Sequence, residues 1–192
     1  MAYMVLGLLL FLGVHSVRIF ADGWRSAQRA RIGESAWKGA YSLLSLAGFA
    51  LIIWGYGQAR LEPVVLWATP RGMSHLAALL TLIAFVLVAA SQLPRNHIKA
   101  RLRHPMLLGV KVWALAHLLA NNTLADLVLF GAFLIWAVLD FRACRQRDRA
   151  GAPAPAAGTA ANTAIAVVAG VAVWALFAFW AHAALIGIRP FA

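Results

Sequence analysis

The sequence predicts an all-α membrane protein, a polytopic transmembrane helical bundle of about six spans. Three observations carry this. The 192 residues are 63% hydrophobic with a mean hydropathy of +0.79, whereas ordinary soluble domains are about 45–50% apolar. The apolar residues fall into runs near the roughly 20 residues that a helix needs to cross a bilayer. The basic residues, which give a formal net charge of +11, lie between those runs rather than over a hydrophilic face. They read as topology signals and contacts to membrane lipids, and nucleic acid is excluded as a partner.

The spans fall at about residues 2–21, 37–57, 73–93, 104–120, 124–142 and 163–188. The first lacks a basic segment ahead of its apolar run, so it reads as a retained span rather than a cleaved signal peptide. Arg18, Arg25, Arg29, Arg31 and Lys38 follow it. Arg95, Lys99, Arg101 and Arg103 follow the third span, and Arg142, Arg145, Arg147 and Arg149 follow the fifth. The other side holds only Arg60, Arg71 and Arg189. By the positive-inside rule both termini then lie outside, which in a bacterium is the periplasmic side.

Within the fifth span, Asp126 and Asp140 sit near its two ends and read as hydrated helix termini. Residues 143–162 form a cytoplasmic linker whose Ala/Pro/Gly-rich stretch has no apolar stripe to order it. It divides the chain into a five-helix domain at 1–142 and an additional C-terminal helix at 163–192. Small residues of that last helix, Ala169, Gly170 and Ala172, suit close packing against a neighbour. The single cysteine, Cys144, excludes both a disulfide within the chain and a cysteine-based metal site.

The stretch Arg103–Asn121 is where chemistry is expected. It is apolar enough to enter a bilayer, yet it carries His104, Lys111, Trp113 and His117, and ionisable groups at membrane depth cost free energy unless they serve a purpose. Pro105 suits the first position of a helix, where its missing N–H leaves no gap. That makes His104 either a cap or a group that hydrogen-bonds a substrate or headgroup. His75 and His97, at span ends, need no special role.

His15 and His117 lie inside the first and fourth spans. A neutral imidazole in hydrocarbon must satisfy one donor and one acceptor. Two inward-facing histidines on different helices are the arrangement that binds a b-type haem; a helix–helix hydrogen bond or another polar site satisfies them as well. Trp113, one turn before His117, is placed to pack on a planar group, and Lys111 and Arg103 to meet propionates or lipid phosphates. Depth favours other pairings: at about 1.5 Å per residue, His15 sits near the inner interface and His117 near the outer. His15 with His104, or His117 with His182, match in depth.

Three segments together carry a resemblance: Phe11–Arg18 with its histidine, Arg31-Ile32-Gly33-Glu34, and Arg103-His104-Pro105-Met106-Leu107-Leu108-Gly109 followed by Trp113–Asn121. Over roughly residues 4–142 the chain resembles the NnrU family of bacterial membrane proteins and, more distantly, zeta-carotene isomerase of plants and cyanobacteria. The resemblance implies a multi-pass protein of the bacterial inner (cytoplasmic) membrane linked to denitrification and nitric oxide metabolism. It also implies haem b, with His15 and His117 matching the isomerase's axial ligands and His104 matching the histidine of its His-Pro motif. Fold and cofactor can persist while the reaction changes, and after His15 this chain has Val17-Arg18-Ile19 where the isomerase has small residues.

Three functions follow. The first is a haem-dependent membrane protein whose iron, on losing one histidine, takes nitric oxide or polarises a polyene or isoprenoid ligand. The second is a non-catalytic assembly or regulatory factor for a respiratory reductase complex acting on nitric oxide or nitrite. The third is a lipid or isoprenoid methyltransferase, suggested by the Arg-His-Pro helix start but lacking the downstream glutamate and tyrosine typical of those enzymes. No Walker loop, dinucleotide fingerprint, serine elbow or zinc-protease motif is present.

Overall fold

A computed structural model describes residues 1–151 and 153–190. Ala152 of the expected linker, and Phe191 and Ala192 at the end of the expected last helix, lie outside the described residues. The helices are α1 (Ala2–Phe20), α2 (Asp22–Ile32), α3 (Glu34–Ala59), α4 (Met73–Gln92), α5 (His97–Leu102), α6 (Pro105–Ala120), α7 (Leu124–Arg149) and α8 (Ala160–Leu176). Helix α8 continues through a π-helical turn (Phe177–Ala181) into α9 (His182–Ile186). Among the described residues there is no strand. Among the same residues five helical stretches are long and apolar enough to cross a membrane, and α6 is a shorter apolar one. The all-α, multi-pass membrane fold is therefore as expected, and its lipid-facing surface is apolar: Leu9, Leu43, Ile53, Ile135, Val168 and Phe179 are all exposed.

The chain divides into two compact units, Met1–Leu66 with Thr123–Ala132, and Trp67–Asn122 with Phe133–Ala192. In the first, α1 packs along α3 because glycines let the two backbones touch. A Cβ on Gly7 would stand 2.6 Å from the Ile52 nitrogen, and one on Gly48 2.7 Å from that of Phe11. Without a hydrophobic drive between helices in lipid, such close contact is what holds them. Met4, Leu8 and Ile52 fill the seam. The segment Asp22–Ile32, expected as a loop, is a helix with Arg25 bonded to Asp22 at 3.2 Å; its Trp24 meets Trp37 edge-on.

In the second unit α4 packs against both α6 and α8. Ala166 and Gly170, one turn apart, are the buried small residues of α8, and a Cβ on Gly170 would lie 2.5 Å from the Val86 Cα. Ala172, expected in that seam, is exposed instead; it lies two positions from Gly170, a spacing that points to another side of the helix.

The turn between α4 and α5 is built on Asn96, which is fully buried. Its amide donates to the carbonyls of Ala90 and Leu93, and its Oδ1 caps the Lys99 N–H at 2.8 Å. The downstream end of the Ala/Pro/Gly-rich segment is tied to this turn. Thr159 N–H donates to Arg95 O at 2.8 Å, Asn162 to Pro94 O, and His97 N–H to Thr163 Oγ1.

Candidate functional site

Both candidate iron ligands are held alike. His15 Nδ1 lies 2.6 Å from the Phe11 carbonyl oxygen and His117 Nδ1 lies 2.9 Å from that of Trp113, each one helical turn back. A carbonyl oxygen can only accept, so Nδ1 is the nitrogen bearing hydrogen, and in the neutral ring Nε2 keeps the lone pair. An aromatic ring steadies each imidazole. Phe11 stacks on His15 at 4.2 Å between centroids, and Trp113 lies 5.1 Å from His117. Tyr41 borders His15 at 5.2 Å, and Phe133 meets Trp113 edge-on at 5.5 Å. His15 belongs to the first unit and His117 to the second. His182, directly after the π-helical turn, is held differently: its Nδ1 lies 2.8 Å from the oxygen of Ile188, six residues further on.

Arg103, His104 and Lys111 are gathered elsewhere in the second unit. The chain enters α6 through Arg103, whose φ is positive (61°), and His104 ahead of Pro105. His104 occupies the N-cap position, but its side chain makes no cap bond. Its Nε2 instead lies 3.0 Å from Asp148 Oδ2, while the Arg103 guanidinium reaches Oδ1 at 3.4 Å and Arg145 reaches Oδ2 at 3.4 Å. One carboxylate near the end of α7 thus collects three cationic or polar partners. Phe141, two turns earlier, receives the His104 ring edge-on and carries the Lys111 ammonium 3.7 Å above its centroid, a cation–π contact. Histidine at the helix start and lysine inside the helix therefore share one end of the unit, while Trp113 and His117 stand further along α6. Among the described residues no three metal-ligating side chains cluster.

The first unit holds a polar site that the sequence does not announce. Asp126, expected as a hydrated helix end, is only 5% exposed. It is a helix end, but one enclosed and fully bonded. Thr123 caps α7 reciprocally: its N–H and hydroxyl donate to Asp126 Oδ2 at 3.2 and 2.6 Å, and the Asp126 N–H donates to Thr123 Oγ1 at 3.3 Å. The Tyr56 hydroxyl donates to the other oxygen, Oδ1, and the Arg60 guanidinium lies 5.8 Å from the Tyr56 ring centroid. The Thr-x-x-Asp spacing signals the cap; nothing local in the sequence signals Tyr56.

No curated protein and no solved structure matches the chain. The family model described as NnrU protein matches residues 3–190, which takes in every helix described above and extends past the 4–142 region whose motifs carry the resemblance. By that match, and with a fold of apolar membrane-crossing helices, this chain belongs to the NnrU family.

Proposed function

We propose that the chain is a haem b-binding protein of the bacterial inner membrane that serves nitric oxide metabolism in denitrification, with His15 and His117 each carrying an imidazole prepared to ligate iron. The observation carrying this is the shared anchoring of the two rings. Each donates Nδ1–H to the carbonyl one turn back, which fixes the tautomer and puts the lone pair on Nε2, the nitrogen through which such an imidazole ligates a metal. The chemistry of the donors fits haem b, which is held by imidazole nitrogens, and the flanking Phe11 and Trp113 suit a planar apolar group. When bound, the haem supplies an iron centre for a small diatomic ligand. The protein's own share is to hold the two imidazoles, to keep their protons on Nδ1 and to surround them with aromatic rings. His104 plays a supporting part, because its Nε2 is engaged by Asp148.

The test is haem content of detergent-purified protein by pyridine haemochrome, with optical spectra of both redox states. Wild type should carry stoichiometric haem b with a sharp reduced α-band. His15→Ala and His117→Ala should each lose it, while His97→Ala and His104→Ala retain it. Equal haem in all four variants removes the assignment. A folded but colourless wild type replaces it with the assembly-factor reading, which co-purification of a nitric oxide or nitrite reductase would then support.

A further inference from the structure

We infer that one face of α7 is a binding site for an anionic phospholipid, its phosphate held by Arg142, Arg145 and Arg149 and its acyl chain laid along Ile135, Val138 and Leu139. These six residues fall at i, i+3, i+4, i+7, i+10 and i+14 from Ile135, so they share one side of the helix. The apolar half of the stripe is open: Ile135, Val138 and Leu139 are 64%, 37% and 36% exposed. At Phe141 the stripe changes character. From there to Arg149 it borders an open concavity of about 430 Å³ lined by Phe141, Arg142, Arg145, Gln146 and Arg149. Apolar groups followed directly by guanidinium groups match an amphiphile with an apolar chain and an anionic head, set where hydrocarbon gives way to headgroups.

Two of the three guanidinium groups on this face keep their charge uncompensated. Arg147, a neighbour in sequence, is paired with Asp140 at 3.7 Å, and Arg145 shares Asp148 with Arg103 and His104. Among the described residues no carboxylate lies within ion-pair distance of Arg142 or Arg149, both exposed. The Lys111 ammonium over Phe141 adds a further positive charge beside the concavity. Guanidinium groups bind phosphate by paired hydrogen bonds as well as by charge, so a phosphate here gains what water and scattered lysines do not offer. The site does not depend on haem, and its failure would leave the haem reading untouched.

The experiment titrates delipidated full-length protein in neutral detergent with phosphatidylglycerol and with phosphatidylcholine of the same chain length, read by native mass spectrometry. Wild type should prefer phosphatidylglycerol. At about fivefold per juxtamembrane arginine, R142Q/R149Q should weaken that binding roughly 30-fold, and R31Q, which removes an exposed arginine elsewhere, should leave it unchanged. R142K/R149K should fold as wild type and keep the charge-driven part of the affinity. The proposal is overturned by equal binding of both lipids, by unchanged binding in R142Q/R149Q, or by the same loss in R31Q. Displacement of the lipid by excess inorganic phosphate would also overturn it, since the site would then recognise a free anion.

Discussion

Asp126 shows how a single side chain ties distant parts of the first unit together. Its carboxylate accepts from Thr123 one turn before it and from Tyr56 seventy residues earlier. A buried acceptor with three donors is costly to remove, because the donors stay behind without water to replace it. Asp126→Ala should therefore destabilise the protein by about 3 kcal/mol, combining a lost cap with an orphaned phenol. Tyr56→Phe, which removes only one donor, should cost about 1 kcal/mol. Unfolding in a graded denaturing detergent checks the order, and a Tyr56 effect equal to or larger than that of Asp126 would contradict it. The same residue marks what a sequence reveals. Asp126 reads correctly as a helix end from its place near one end of the fifth span, but as hydrated, because one of its partners, Tyr56, lies on α3. His15 and His117 were legible as candidates, being polar groups inside apolar runs. Their common tautomer was not, since it depends on a ring nitrogen meeting a carbonyl. His104 was legible as belonging to a helix start, while its partner Asp148, one of several charges after the fifth span, gave no local sign of the pairing.

Helices in this protein meet through small residues, and each meeting fixes a separation that a larger side chain would forbid. On α8 the positions are Ala166 and Gly170, with the Gly170 backbone against Val86 of α4. Gly170→Leu must push the two helices apart, at a cost of about 2 kcal/mol or more. Ala172→Leu, on an exposed part of the same helix, should change stability by less than about 0.5 kcal/mol. Thermal unfolding in one detergent separates them; equal effects would mean that α8 is not held by this seam. The six apolar runs were legible to within a few residues at most ends, since an uninterrupted hydrophobic stretch is its own signal. The ends that differ most are polar: α3 begins at Glu34, where Lys38 bonds Glu34 at 2.8 Å, and α7 runs on to Arg149. Helix α2 is not legible in the sequence, because eleven residues rich in arginine and lacking an apolar run resemble a loop until Asp22 and Arg25 pair one turn apart.

For the whole chain the arginines make a prediction about sidedness that depends on how many helices cross. Six crossings put residues 22–32 and 150–159 on the same, arginine-rich side, and residues 60–72 and 187–190 on the other. The weakest crossing is α6. Its sixteen residues span about 24 Å at 1.5 Å per residue, short of a hydrocarbon core of about 30 Å, so it crosses only where the bilayer thins or its ends snorkel. Arg103 and His104 at one end and Asn121 at the other, whose side chain donates to the His117 carbonyl at 2.9 Å, are polar groups suited to such a thinned crossing. Single cysteines at Ser26, Glu62, Ala154 and Arg189, all exposed, placed in a Cys144→Ser background and labelled with an impermeant maleimide in intact cells, read this directly. Glu62→Cys and Arg189→Cys should label, while Ser26→Cys and Ala154→Cys should label only after permeabilisation. If α6 instead remained on one side, α7 would run the opposite way and Ala154→Cys would part from Ser26→Cys. His117 would then lie on a helix that does not cross, and the positive-inside rule would be broken by all four arginines between Arg142 and Arg149 at once. The basic segment after α7 makes that alternative costly, so the two protected positions should stay together.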